Sequence, residues 1–150
     1  MNAKTLVVLL LTVLVSCDKA VFKKFDTGFE ANRWQRSDVR SYPFTIETTG
    51  NYNLYIDFGY AALVQFPEIP IVVRFTAPTA SQELPLVLRT KDGNGVETGD
   101  CAGDYCDLRQ IVFEKKLLQP GNYKVQLINR FNHGYLPNVT GIGIRVTHAE

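Results

Sequence analysis

The feature that most constrains this chain is an alternation of apolar and polar residues with period two. In YNLYIDF, Tyr52, Leu54, Ile56 and Phe58 alternate with Asn53, Tyr55 and Asp57. In SYPFTIET, Tyr42, Phe44 and Ile46 alternate with Ser41, Pro43, Thr45 and Glu47. Successive side chains of a strand point to opposite faces, so each run predicts a strand with one buried and one wet face. Near the C-terminus Tyr123, Val125 and Leu127 follow a Pro120-Gly121 turn signal. Ile142, Ile144 and Val146 then face inward, with Gly141, Gly143 and Arg145 opposite. Two glycines on one face predict a bend or a close neighbour.

Three further segments read as strands. IPIVVRF is nearly continuous, which fits a central strand or one covered on both faces. LPLVLRT carries Leu84, Leu86 and Leu88 on one face, and LRQIVFE (108–114) is less regular. No segment keeps a 3.6-residue period over three turns, although 29–36 has room for one turn of helix. Two long connections are expected, 75–85 and 91–107. The fold class is all-β, an antiparallel β-sandwich of about seven or eight strands, jelly-roll or immunoglobulin-like.

The N-terminus has a different character. Lys4 precedes an apolar run at 6–15 that ends at Ser16 and Cys17. A membrane-spanning helix needs about 20 apolar residues, so the run is too short to span. It fits a secretory signal. Leu14-Val15-Ser16-Cys17 resembles the bacterial lipobox, which implies cleavage between Ser16 and Cys17 and acylation of Cys17 on its sulfur and its new amine. One chain anchors only marginally, while three hold essentially permanently. An ordinary signal peptide with a cysteine nearby is the alternative. The expected organisation is a leader at 1–16, a lipidated tether at 17–24 and one domain at 25–150.

Of the 16 Lys and Arg residues, Lys4 falls in the leader, leaving 15 against 15 Asp and Glu. Such a balance holds no basic excess for nucleic acid. After Asp18 the DKAVFKK stretch is basic. Some surface-exposed bacterial lipoproteins carry an acidic cluster there, so the expectation is an outer-membrane protein on the periplasmic face.

Cys101 and Cys106 sit in GDCAGDYCD. In an oxidising compartment they can pair as a disulfide that pins a short loop. A metal site with Asp100, Asp104 and Asp107, or two free thiols, are the other readings. Structural zinc prefers four ligands in two separate pairs, and KDGNGVETGD resembles only the opening of a calcium loop. No GxSxG, P-loop or HExxH motif occurs, and His133 and His148 stand outside any recognisable catalytic pattern. The chain reads as non-enzymatic, with no cofactor.

Aromatic residues are the remaining candidates for binding. Trp34, the single tryptophan, is flanked by Arg33 and Arg36. It reads either as a stacking platform for a sugar or protein, or as a plug closing one end of the sandwich. Tyr55 lies on the polar parity of its strand, and Tyr105 and Tyr135 lie in loops, where binding residues concentrate.

SCDKAVF, NRW, YPFTIETTGNYNLYIDF, PGNYKVQL and GIGIRV together resemble the gliding-motility lipoprotein family GldH of Bacteroidetes. The resemblance implies a non-enzymatic envelope lipoprotein, an accessory of the gliding and secretion apparatus with a protein partner. It assigns a role to Cys17 alone, as lipid site. GDCAGDYCD departs from the family's Gly- and Trp-rich middle. The alternative function is a membrane-anchored glycan-binding module.

Overall fold

A computed structural model describes residues 19–62 and 65–150. Ser16 and Cys17 lie outside the described residues. Eleven strands follow in order: β1 (Ala20–Thr27), β2 (Trp34–Gln35), β3 (Arg40–Ile46), β4 (Gly50–Ala61), β5 (Glu68–Thr76), β6 (Ser81–Arg89), β7 (Asp100–Ala102), β8 (Tyr105–Leu118), β9 (Gly121–Asn129), β10 (Tyr135–Leu136) and β11 (Val139–His148). A single 3₁₀ turn, Glu30–Asn32, falls inside the segment with room for helix.

The strands form an antiparallel sandwich. One sheet has the order β1-β11-β4-β8-β7, the other β3-β9-β5-β6, and β10 with β2 makes a two-stranded ribbon. The alternation places Tyr52, Leu54, Ile56, Phe58 and Tyr60 inside, against Tyr42, Phe44, Ile46, Ile71, Val73, Val125 and Leu127 of the facing sheet. Burial of this apolar surface is the main term favouring the fold. Gln110 ties the sheets together: its amide donates to the Val87 carbonyl (2.7 Å) and its oxygen accepts from the Arg89 N–H (3.2 Å). It thereby satisfies groups on β6, an edge strand.

Several expectations are corrected. Among the described residues there are eleven strands, because β2, β7 and β10 are too short to show a period and β1 shows too many charges. Residues 20–24, expected outside the domain, belong to β1, which begins at Ala20. Its Lys-rich sequence is that of a solvated edge strand. The expected loop at 75–85 is a hairpin with a tight 77–80 turn, in which the Ala77 N–H bonds the Ala80 carbonyl (2.7 Å). IPIVVRF is central in its sheet, but only one of its faces is fully buried. The strand read at 108–114 spans Tyr105–Leu118 and crosses bulges opposite Tyr52–Tyr55. Lys115 takes φ 49° there, with its N–H on the Asn53 side-chain oxygen (2.9 Å).

The glycine pair on β11 has its close neighbour. A Cβ on Gly141 would overlap the ring of Phe25, and one on Gly143 would overlap the Lys24 carbonyl and lie 2.6 Å from the Phe25 Cα. Backbone of β1 runs against the outer side of β11, so Gly141, Gly143 and Arg145 are buried despite facing away from the core.

The two ends of the sandwich differ. At the end where β1 starts, register brings together Ala20 with Thr147, Gly50 with Leu118, and Ile46 with Gly121. The links there are the short turns 47–49, 77–80 and 119–120. Among the described residues the long connections gather at the opposite end: 28–33, 36–39, 90–99 and 130–134.

Candidate functional surfaces

Two surfaces carry chemistry: the long-loop end and the outer face of the five-stranded sheet. At the loop end, Trp34 is fully buried. Its indole N–H donates to the Asp38 carbonyl (2.8 Å), and its own carbonyl accepts from the Asn129 amide (2.9 Å). The Asn129 oxygen in turn accepts from the Phe131 N–H (2.8 Å). A ring closed in on both faces has none to offer a ligand, which corrects the stacking-platform reading. Trp34 packs as a plug, and the two-stranded ribbon pairs it with Leu136.

Around this plug lie several aromatic and basic groups. The Arg33 guanidinium lies 4.5 Å from the centre of the Tyr135 ring. Phe66 packs on Phe131 at 4.7 Å, and Phe131 on His133 at 5.4 Å. Phe66 and Tyr105 are exposed, and Tyr135 is partly so. Arginine and tyrosine presented together are the side chains that dominate protein contacts when truncated. Ala31 and Asn32 hold φ of 49° and 53° beside Arg33, left-handed backbone that non-glycine residues adopt at a cost.

Cys101 and Cys106 are disulfide-bonded across the β7–β8 hairpin, with Cα atoms 4.0 Å apart. They are register partners. Gly103 takes φ 61° at the hairpin's two-residue turn, as a tight reversal requires. Behind the hairpin, the Tyr60 hydroxyl lies 2.8 Å from a Glu97 carboxylate oxygen and 3.2 Å from the Thr90 carbonyl. Burial, reinforced by Glu97, pushes the Tyr60 phenol well above its ordinary value. This bond holds the 90–99 loop onto β4.

The outer face of the five-stranded sheet bears a cleft of about 530 Å³ lined by Lys23, Phe25, Asp57, Asp107, Arg109 and Arg145 among others. Asp57 is paired there with two arginines. One carboxylate oxygen accepts from the Arg109 Nε (2.7 Å) and the other faces the Arg145 Nε (3.4 Å). Arg145 is 5% exposed, and burial lowers its pKa. A guanidinium remains charged in proteins, so Asp57 balances a buried cation. Tyr55, half-buried, lies on this same face, opposite Arg145 in the register.

The candidate aromatics therefore separate. Trp34, Tyr105 and Tyr135 belong to the loop end, while Tyr55 belongs to the sheet face. Among the described residues, no group of three or more His, Cys, Asp or Glu side chains is placed to hold a metal ion. Sequence reasoning missed Asp57, Arg109 and Arg145 as a cluster, because only the strand order brings residues 52 and 88 positions apart together. It also missed Arg33, whose one signal was its place beside Trp34.

Solved structures similar to this chain include the Eiger TNF of S. frugiperda, 14% identical with a TM-score of 0.34, covering 70% of this chain and 64% of that one. The VP2 subviral particle of infectious bursal disease virus is 11% identical with a TM-score of 0.35, covering 88% of this chain and 34% of that one. The chain spans less than two thirds of either. No curated protein sequence matches it. A family model described as GldH lipoprotein matches residues 20–146. Among the described residues no helix is long and apolar enough to cross a membrane.

Proposed function

The chain belongs to the GldH lipoprotein family, and on that premise we propose that it is a lipid-anchored, non-catalytic accessory of a gliding and secretion apparatus, acting by protein contact. The anchor is Cys17, lipidated on its sulfur before cleavage between Ser16 and Cys17 and acylated on its new amine afterwards, and the protein sits on the periplasmic face of the outer membrane.

The observation that carries this reading is the polarity of the domain. Its first strand starts three positions after Cys17, and its long loops gather at the other end. Loops held by a rigid scaffold are where binding residues concentrate. The partner therefore meets the loop end, through Arg33, Tyr135, Tyr105 and Phe66.

In-cell cross-linking in the native envelope, with mass spectrometry of what co-purifies, tests the proposal. Recovery of gliding or secretion components, lost in an Arg33→Glu, Tyr135→Ala double variant, is the expected result. Recovery of nothing beyond a lipid-only control overturns it.

A further inference from the structure

The end of the sandwich where β1 starts carries exposed apolar side chains. Leu117 is 60% exposed and Val21 41%. Beside Leu117 a groove of about 500 Å³ is lined by Ala77, Pro78, Pro120 and Tyr123. Lys116 stands at this groove with its ammonium 5.3 Å from the centres of both the Phe75 and Phe113 rings. An exposed leucine alone needs no explanation. Its position gives this one significance.

Three residue steps separate Cys17 from Ala20, a reach of roughly 10 Å. The headgroup layer on each side of a bilayer is about 5–7 Å thick, the difference between total and hydrocarbon thickness. That reach is a maximum, so a lipidated Cys17 holds the start of β1 within the headgroup layer or just above it. Strand β8 lies three places from β1 in the sheet, about 14 Å away at the usual strand spacing. Leu117 and the 77–80 and 119–120 turns fall within the same footprint.

We infer that this end docks on the lipid bilayer. Val21 and Leu117 enter the boundary between headgroups and acyl chains, and Lys116 lies at the level of the lipid phosphates, an arrangement suited to an interface that is apolar below and anionic above. The docking holds the strand axes away from the membrane plane and presents the loop end outward. It rests on the lipid-anchor reading of Cys17.

The test uses the full lipoprotein, reconstituted into vesicles of phosphatidylethanolamine and phosphatidylglycerol with brominated acyl chains. Single cysteines are introduced as Leu117→Cys, Val21→Cys or, at the loop end, Val96→Cys, and each is labelled with an environment-sensitive fluorophore. All three positions are exposed, so the substitutions leave the core intact. Labels at 117 and 21 are expected to be quenched at least about twofold by brominated lipid, at the depth that interfacial side chains reach, and the label at 96 to be unaffected. Equal responses at 117 and 96, in protein that floats with the vesicles, overturn the docking and leave the anchor standing. Protein that does not float overturns both. A label at 117 that is shielded in native envelopes but unquenched in protein-free vesicles means that protein covers this end, and the docking is wrong.

Discussion

The ring of Phe25 fills the space that a side chain on Gly141 would need. Two residues on, the obstacle at Gly143 is backbone: the Lys24 carbonyl and the Phe25 Cα. An exposed ring turns aside more readily than a strand. Gly141→Ala should therefore cost about 1–2 kcal/mol and Gly143→Ala about 3 kcal/mol or more. Thermal unfolding checks the order. Phe25→Ala should relieve the first and leave the second unchanged, and equal costs at the two positions would contradict the backbone argument.

Asp57 faces two arginines of different burial. Arg109 is 51% exposed, Arg145 5%. Truncating a partner of a buried charge costs far more than truncating one at the surface. Asp57→Ala should destabilise by about 3 kcal/mol and Arg109→Ala by less than about 1 kcal/mol, both read from urea midpoints. Raised salt should weaken the Arg109 contribution and spare that of Arg145.

Much of this architecture was legible from parity. A strand with one buried face must alternate, so residues 52–58 and 142–146 declared their inner sides. Strand β1 was not legible as such. VFKKFD carries three charges in six residues, as an edge strand facing water should, and that composition equally describes a tether. The glycines at 141 and 143 signalled a close neighbour but not its identity. The Asp57 cleft was hidden for another reason: its members come from β4, β8 and β11, and adjacency of those strands is a property of topology, not of spacing. Trp34 was ambiguous because a lone tryptophan between two arginines describes a plug and a platform equally well.

Tyr42 and Tyr60 make stability fall in alkali. Burial, with Asp26 beside Tyr42 and Glu97 beside Tyr60, raises both phenols above their ordinary value of 10.0. The folded chain then holds these protons more tightly than the unfolded one. Their contribution is whole below about pH 10 and is lost as pH rises past it toward the folded values. Urea midpoints should drop between pH 9 and 11. Tyr60→Phe should cost about 1 kcal/mol at neutral pH, for the lost hydrogen bond, and flatten part of the alkaline fall. An unchanged fall would mean that other groups drive it.

The Cys101–Cys106 bond closes a loop of only six residues, for which chain entropy gives about 2 kcal/mol. Reduction should lower the melting temperature by about 5 °C in a domain of this size. Amide exchange should rise in 100–107 and in the adjoining 90–99 loop, while β4 and β11 stay protected. Uniform loss of protection would make the bond a requirement of the whole fold.

The single tryptophan separates the protein-contact reading from the glycan one. Trp34 is fully buried with its N–H engaged, so its emission should be blue-shifted and resist quenching by iodide. Oligosaccharides stacking on Tyr105 or Tyr135 at the loop end would perturb it only weakly, so binding should be followed by calorimetry as well. A flat titration by both methods across glycan classes leaves protein contact as the role of the loop end. Saturable heat, abolished by Tyr135→Ala with the melting temperature unchanged, would instead make that end a sugar site, and the partner search would move from proteins to glycans.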